Sequence, residues 1–382
     1  MRLLDKDKLE ITLNDRILTD IAENNIFGAA VYVGQAGKTL YRNSMGVADP
    51  ATGAPVTERT LFRIASMTKP ITAVATMILT ERGKLSLDDP IERYYPQFKN
   101  MKIAEVGEGD VLRDAGNAKT KITIRNILSH TSGIGSGRAG ALQIAAMTTE
   151  DMDTLGNTID FFSRQGLSFE PGTKQEYSGF PAYDVLTGIL EKTADEDYGS
   201  FLYREIFSRC NMEDTTFVPA QSQWGRLAAM HDRVSGKSCV SSMHPGCVFE
   251  KIPCTHALGG AGLVSTLSDY SNFAEMLLNG GVYFGEHILS QASVNELATP
   301  QLPASIQPGL QRWGLGVRVI VDGNYPGLPV GSFGWSGAYG PHFWIDPENQ
   351  IAAVYMKNSR HDPGAGSVTG YHFEADVYNS MK

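Results

Sequence analysis

The order of the elements predicts an α/β protein of the α+β type: an antiparallel sheet built from both chain termini, flanked by helices, with a mostly helical domain inserted. Two observations carry this expectation. Short apolar or alternating runs that read as strands gather near the two ends of the chain, whereas the middle shows helical periodicity. The regular strand–helix alternation of a doubly wound parallel sheet is missing. The division that follows is a sheet domain from residues 1–65 and 310–382 and a helical domain from 66–309, with the seam near Ser66. A chain of 382 residues is long enough for one large or two closely packed domains.

Taken in order, residues 5–25 place Leu9, Leu13, Ile17 and Ile21 four apart, the stripe of an amphipathic helix. Residues 29–33 are apolar, 34–38 read as a turn and 39–41 begin a second strand, together a hairpin. A helix starts at Ser66 and runs to about Arg82, with Gly83 as its left-handed stop. Pro90 suits the first position of another helix, and 104–120, rich in Glu, Gly, Asp and Asn, read as an exposed loop.

Residues 138–165 carry weakly amphipathic helical stretches, 171–173 a turn, and 182–193 a helix. Residues 220–258 read as irregular. A helix over 267–278 is opened by Ser268-Asp269 and ended by Gly280-Gly281. Trp313, Leu315, Val317 and Val319 alternate as a half-buried strand does. Residues 342–345 and 351–356 form a hairpin about the turn at 346–349, and 372–382 close the chain as a helix.

The composition, 42% hydrophobic and 20% charged, is that of an ordinary globular protein. With a net charge of −9 and no basic cluster, nucleic acid and anionic membrane surfaces are excluded as expected partners. The N-terminus is charged too early for a secretory leader, and no stretch approaches the ~18 apolar residues of a membrane span. The expectation is a cytoplasmic chain. Its four cysteines suit free thiols in a reducing compartment. Cys239, Cys247 and Cys254 fall near His244 and His256, but no Cys-x-x-Cys pair occurs and the steps match no common zinc spacing, so no metal site is expected.

The chemistry is concentrated at Ser66 and Lys69. Three residues apart at a helix start, they share a face, so hydroxyl and amine can meet near the unpaired N–H groups of the first turn. This is a place to build a nucleophile with its base beside it. Alone the pattern is weak: Ser-x-x-Lys occurs by chance about once or twice in a chain of this length, and a serine cap beside a solvated lysine gives it too.

Five motifs in order strengthen it. They are Ser66-Met67-Thr68-Lys69; Leu128-Ser129-His130-Thr131-Ser132-Gly133; Pro171-Gly172-Thr173 before Tyr177-Ser178-Gly179; Gly259-Gly260-Ala261-Gly262 before Asp269; and Trp335-Ser336-Gly337 before Phe343-Trp344-Ile345-Asp346-Pro347. In these the chain resembles the serine β-lactamase and penicillin-binding-protein-like superfamily, in its class C-like branch, which includes the family VIII carboxylesterases. The resemblance runs from about residue 28 to the end.

It implies a β-lactamase/transpeptidase-like fold and roles for matching positions. Ser66 would be the acylated nucleophile, with Lys69 and Tyr177 sharing its proton. Free lysine and tyrosine titrate near ~10, so either must be tuned to act as a base at neutral pH, and the two can titrate as a unit. The backbone N–H groups of Ser66 and Ala338 would form the oxyanion hole. Trp335, Ser336, Gly337 and Gly179 would contact substrate.

Two departures choose within the superfamily. Trp335 stands where class C β-lactamases have a lysine beside the substrate carboxylate, and an indole offers an apolar wall instead. Gly179 stands where Tyr-x-Asn has the asparagine that grips a lactam side chain. The expectation is therefore a serine hydrolase of carboxylic esters without cofactor, acting on a small-molecule ester or amide. The alternatives are a β-lactamase or D-amino-acid peptidase or amidase, an acyltransferase, and a catalytically silent binder of peptides or cell-wall fragments. His130 is expected to pack rather than to serve a Ser-His-Asp triad. The sequence gives no oligomeric state.

Overall fold

The computed structural model describes residues 1–241, 256–364 and 366–382. Its centre is an eight-stranded sheet whose strands are β1 (Gly28–Gln35), β2 (Lys38–Asp49), β3 (Ala54–Pro55), β4 (Gln311–Trp313), β5 (Arg318–Ile320), β6 (Phe333–Ser336), β7 (His342–Asp346) and β8 (Ile351–Met356). They lie in the order β4-β5-β6-β7-β8-β1-β2-β3, each antiparallel to its neighbour. The two ends of the chain meet where β1 pairs with β8, Val31 opposite Tyr355. The β1–β2 turn is tighter than the sequence suggests. Gly34 and Gln35 still pair, and Ala36 and Gly37 alone turn the chain, both at positive φ.

Side chains alternate between the two faces of this sheet as period two requires. On the back, Val31, Val33, Trp344, Ala353 and Tyr355 pack beneath the terminal helices. These contribute Leu9, Leu13 and Ile17 from α1 (Lys6–Ala22) and Phe373 and Val377 from the last helix (Val368–Asn379). On the front, Ala30, Tyr32, Phe343, Ile345 and Val354 join one core with α2 (Thr68–Glu81), α3 (Pro181–Ala194) and α4 (Leu267–Leu278). α2 is buried on nearly every side, with Lys69 and three threonines among its buried residues, so its apolar side chains are not confined to one stripe.

Helix ends show how local chemistry and context divide the work. The α4 cap is Thr266, whose hydroxyl accepts the Asp269 N–H at 3.1 Å, two residues before the Ser268-Asp269 opening read from sequence. The last helix, hereafter α5, starts at Val368, earlier than expected, because Ser367 caps it through the Gly370 N–H.

Four local expectations are corrected. Residues 104–120 are not a loop but contain a hairpin of Lys102–Val106 with Leu112–Asn117. Ala104 N–H and Lys102 C=O bond Leu167 at 2.7 Å each, so a distant partner holds the polar segment extended. Pro90 does not open a helix; it is extended and bridges Thr123, ahead of a short 3₁₀ turn, Ile91–Arg93. The 313–319 alternation is broken between β4 and β5, where Gly316 at φ +75 passes so close to α2 that a Cβ would stand 2.7 Å from Ala73 Cβ. Within 220–258, Met230–Val234 pairs with Lys237–Ser241, while 242–255 lie outside the described residues.

Candidate active site

Ser66 lies on a 3₁₀ turn, Ala65–Met67, that feeds α2. The turn is strained: Ala65 has φ +42, a region that costs a side-chain-bearing residue ~1–3 kcal/mol. The surroundings enforce it. Phe62–Arg63 pairs with Val264–Ser265, Ile64 N–H bonds Leu263 C=O at 3.1 Å, and the Tyr270 hydroxyl donates to Met67 C=O at 2.8 Å.

Lys69, the next residue but two, is wholly buried. Its ammonium donates to Ser66 Oγ at 3.3 Å, Gly179 C=O at 2.5 Å and Gly260 C=O at 2.8 Å, which uses all three of its protons. It also stands 4.9 Å from the ring centre of Tyr177 and 5.0 Å from that of Tyr183. Burial pushes its pKa below the ordinary lysine value, while Tyr177 and Asp184 pull the other way. The Tyr177 hydroxyl comes to Ser66 Oγ from the other side at 2.8 Å, and Trp335 Nε1 donates to that hydroxyl at 3.3 Å. One serine oxygen thus meets two groups that can exchange a proton with it, one an amine depressed by desolvation.

The third wall is β6. A Cβ on Gly337 would lie 2.2 Å from Ile64 C=O, so glycine is what lets the strand end approach the Ser66 turn. Neither the Ser66 nor the Ala338 backbone N–H is bonded to another described residue, and Ala338 is exposed. The Ser336 hydroxyl, expected at the substrate, is 2.8 Å from His342 Nδ1 and buried. Gly179 gives its carbonyl to Lys69, and nothing lies within 4 Å of where its Cβ would be.

His130 does not bond Ser66. It is buried, accepts the Ser178 N–H on Nδ1 at 3.2 Å, and packs against the rings of Trp313 at 4.3 Å and Tyr177 at 4.5 Å. Burial first, then the Lys69 charge, push its pKa well below 6.5, so it is neutral. The 259–262 glycines serve packing: a Cβ on Gly259 would meet Thr187 Oγ1 at 2.0 Å.

Three participants escape the sequence reading. The Gly260 carbonyl has no side-chain signature. Trp313, read as a strand residue, brings its ring 4.4 Å from that of Trp335. Asp184 is fully buried on α3 with no hydrogen-bond partner among the described residues on either carboxylate oxygen, and burial raises its pKa well above 3.8 against the pull of Lys69. Its signal was available: a carboxylate seven residues after Tyr177 within an apolar helix.

Among the described residues no group of His, Cys, Asp or Glu is arranged to hold a metal ion. Cys210 and Cys239 are free thiols, and His244, Cys247 and Cys254 lie outside the described residues. No described helix is long and apolar enough to cross a membrane.

Known proteins share this arrangement of fold. Protein Rv1367c of Mycobacterium tuberculosis (strain ATCC 25618 / H37Rv) is 31% identical over 348 residues, covering 86% of this chain and 85% of that one. Esterase EstB of Burkholderia gladioli is 28% identical over 376 residues, covering 91% and 90%. The solved structure of EstCE1, a hydrolase with promiscuous acyltransferase activity, superposes with a TM-score of 0.81 at 24% identity, covering 98% of this chain and 99% of its own. The family model described as Beta-lactamase matches residues 13–376, and the chain belongs to that family.

Proposed function

We propose that this chain hydrolyses carboxylic esters through an acyl-enzyme on Ser66. The observation that carries the reading is the double contact on Ser66 Oγ, 3.3 Å from Lys69 Nζ and 2.8 Å from Tyr177 Oη. Ser66 Oγ attacks the ester carbonyl carbon while its proton passes to the Lys69–Tyr177 pair. The oxyanion forms toward the Ser66 and Ala338 N–H groups, two donors of a kind typically worth ~3 kcal/mol each. The C–O bond to the alcohol then breaks, and the alkoxide leaves with the proton that the pair holds. Water repeats the sequence on the acyl carbonyl, releasing the acid and restoring Ser66.

The substrate class follows from the walls. Trp335, Trp313 and Tyr177 present aromatic surface where a charged recognition group would be needed for a carboxylate-bearing lactam. Gly179 offers no side-chain amide. A neutral, small-acyl ester fits such walls. The test compares a p-nitrophenyl short-chain ester with a chromogenic cephalosporin in wild type and Ser66→Ala. Fast ester turnover lost in the variant, with little cephalosporin turnover, supports the reading; comparable or faster cephalosporin turnover replaces it with a β-lactamase.

A second reading, acyl transfer to an alcohol, is favoured by the same aromatic lining, which suits an alcohol better than water, and by the likeness to EstCE1. Added short alcohol would then divert the acyl group into a new ester at the expense of acid.

A further inference from the structure

The end of β6 is tied to the back of the sheet by a chain of buried polar groups that the scheme above does not use. Ser336 Oγ lies 2.8 Å from His342 Nδ1, and His342 Nε2 lies 2.8 Å from Glu374 Oε1. Glu374 also accepts from Arg318 Nη2 on one oxygen and from the Tyr325 hydroxyl at 3.0 Å on the other. Ser336, His342, Arg318 and Glu374 are at most 5% exposed. They come from four elements: Ser336 on β6 faces His342 on β7, Arg318 on β5 stands opposite Gly334, and Glu374 descends from α5. The same face also buries the Lys357–Asp362 pair and Asp346, each bonded to α5, but it is the Arg318–Glu374–His342 group that reaches β6.

The direction of the chain can be worked out. Burial acts to raise the Glu374 carboxyl, but the His342 hydrogen bond and the Arg318 charge outweigh it and hold it below the usual 4.5. An ionised carboxylate accepts only, so His342 carries its proton on Nε2. Burial, chiefly, keeps the imidazole below 6.5 despite Glu374. At neutral pH Nδ1 is therefore a bare acceptor, and the Ser336 hydroxyl donates to it. The bonding is that of a Ser–His–Glu relay. Yet the serine is buried, and its strand neighbours are the residues that meet the Ser66 turn: Trp335 at the Tyr177 hydroxyl and Gly337 against Ile64 C=O.

We propose that His342 and Glu374 are positioning residues for the Ser66 site, fixing through the Ser336 hydroxyl the strand end that carries Trp335 and the Ala338 N–H. The inference rests on the ester-hydrolase reading. As pH falls through the depressed His342 value, Nδ1 gains a proton and can no longer accept from Ser336. The imidazolium then sits among Glu374, Arg318, Tyr325 and Lys357, the last already paired with Asp362, and the Ser336 link must reorient. Activity should therefore carry an acid limb below about pH 6.5 that belongs to this chain and not to Ser66, Lys69 or Tyr177.

The experiment follows the rate of labelling by a fluorophosphonate probe against pH, with the adduct mapped by peptide mass. It uses wild type, His342→Phe, His342→Gln and Ser336→Ala. His342→Phe and Ser336→Ala should label Ser66 ~10- to 100-fold more slowly, the cost of a strand end displaced by a fraction of an ångström. His342→Gln, which keeps a donor for Glu374 and an acceptor for Ser336, should recover most of the rate and lose the acid limb. If His342→Phe does not fold, Ser336→Ala breaks the same link without disturbing the buried ions. Unchanged rate and acid limb in His342→Gln and Ser336→Ala, with Ser66 labelled, would overturn the proposal and leave the hydrolase reading standing. An adduct on Ser336 would overturn it too, by making the relay catalytic in its own right. A wild type unlabelled at Ser66 would remove the hydrolase reading, and this proposal with it.

Discussion

Tyr177→Phe removes one oxygen and isolates what the Tyr177 hydroxyl does. That hydroxyl is 2.8 Å from Ser66 Oγ and accepts from Trp335 Nε1 at 3.3 Å. The ring packs between His130, Trp313 and Trp335 and keeps its place when the oxygen is gone. Stability should fall little, because the two hydrogen bonds lost at a half-buried group are worth ~1 kcal/mol net each. The rate should fall far more. A positioned proton-transfer group contributes ~10²–10⁴-fold, equivalent to ~3–5 kcal/mol of barrier. With a p-nitrophenyl short-chain ester, kcat/KM should drop by ~10²-fold or more, with a melting temperature within a few degrees of wild type. A loss below ~3-fold would refute the reasoning, because Lys69 alone would then be moving the proton. A parallel collapse of melting temperature would show instead that the hydroxyl is structural.

Gly337→Ala and Gly179→Ala make a contrasting pair. The first puts a Cβ 2.2 Å from Ile64 C=O, a backbone atom that cannot step aside, so ester turnover should fall at least ~10-fold; the second points into open space and should change turnover by less than ~3-fold. Equal effects in steady-state assays would contradict this account of the strand end. Asp184→Asn tests the unpartnered buried carboxyl through melting temperature against pH. The folded pKa of Asp184 is raised, so between its unfolded value near ~4 and that folded value the unfolded chain loses a proton that the folded chain keeps, and wild-type stability declines as pH rises. Asparagine cannot ionise, so the variant should gain on wild type as pH rises from about 4 to 7 and match it below. A variant less stable at about pH 7 would mean that an ionised Asp184 supports the Lys69 ammonium.

What the sequence revealed of all this follows the range of the interactions. Ser66 and Lys69 were legible because three residues at a helix start are brought together by the helix itself. The terminal hairpins were legible because short apolar runs flanking a cluster of turn residues are local signals, although the first turn proved tighter than the 34–38 read from sequence. The hairpin after Lys102 was hidden, since its polar strands are held extended by Leu167, far along the chain. Trp313 sat in a pattern that looked like one strand until Gly314 let the chain press on Leu297 C=O and Gly316 let it press on α2. The Gly179 and Gly260 carbonyls that hold Lys69 leave no residue-type trace. His342 and Glu374 join only through the packing of α5 on the sheet, so neither residue alone marked the relay.

The central claim is a covalent one, that the acyl group of the substrate resides on Ser66 during turnover. Rapid acid quench during hydrolysis of a slowly deacylating ester, followed by peptide mass mapping, tests it directly. The account predicts one acyl group per chain, on the peptide containing Ser66, formed at the rate of the alcohol burst and absent in Ser66→Ala. Turnover that persists in Ser66→Ala, or an acyl group found on another residue, would contradict it.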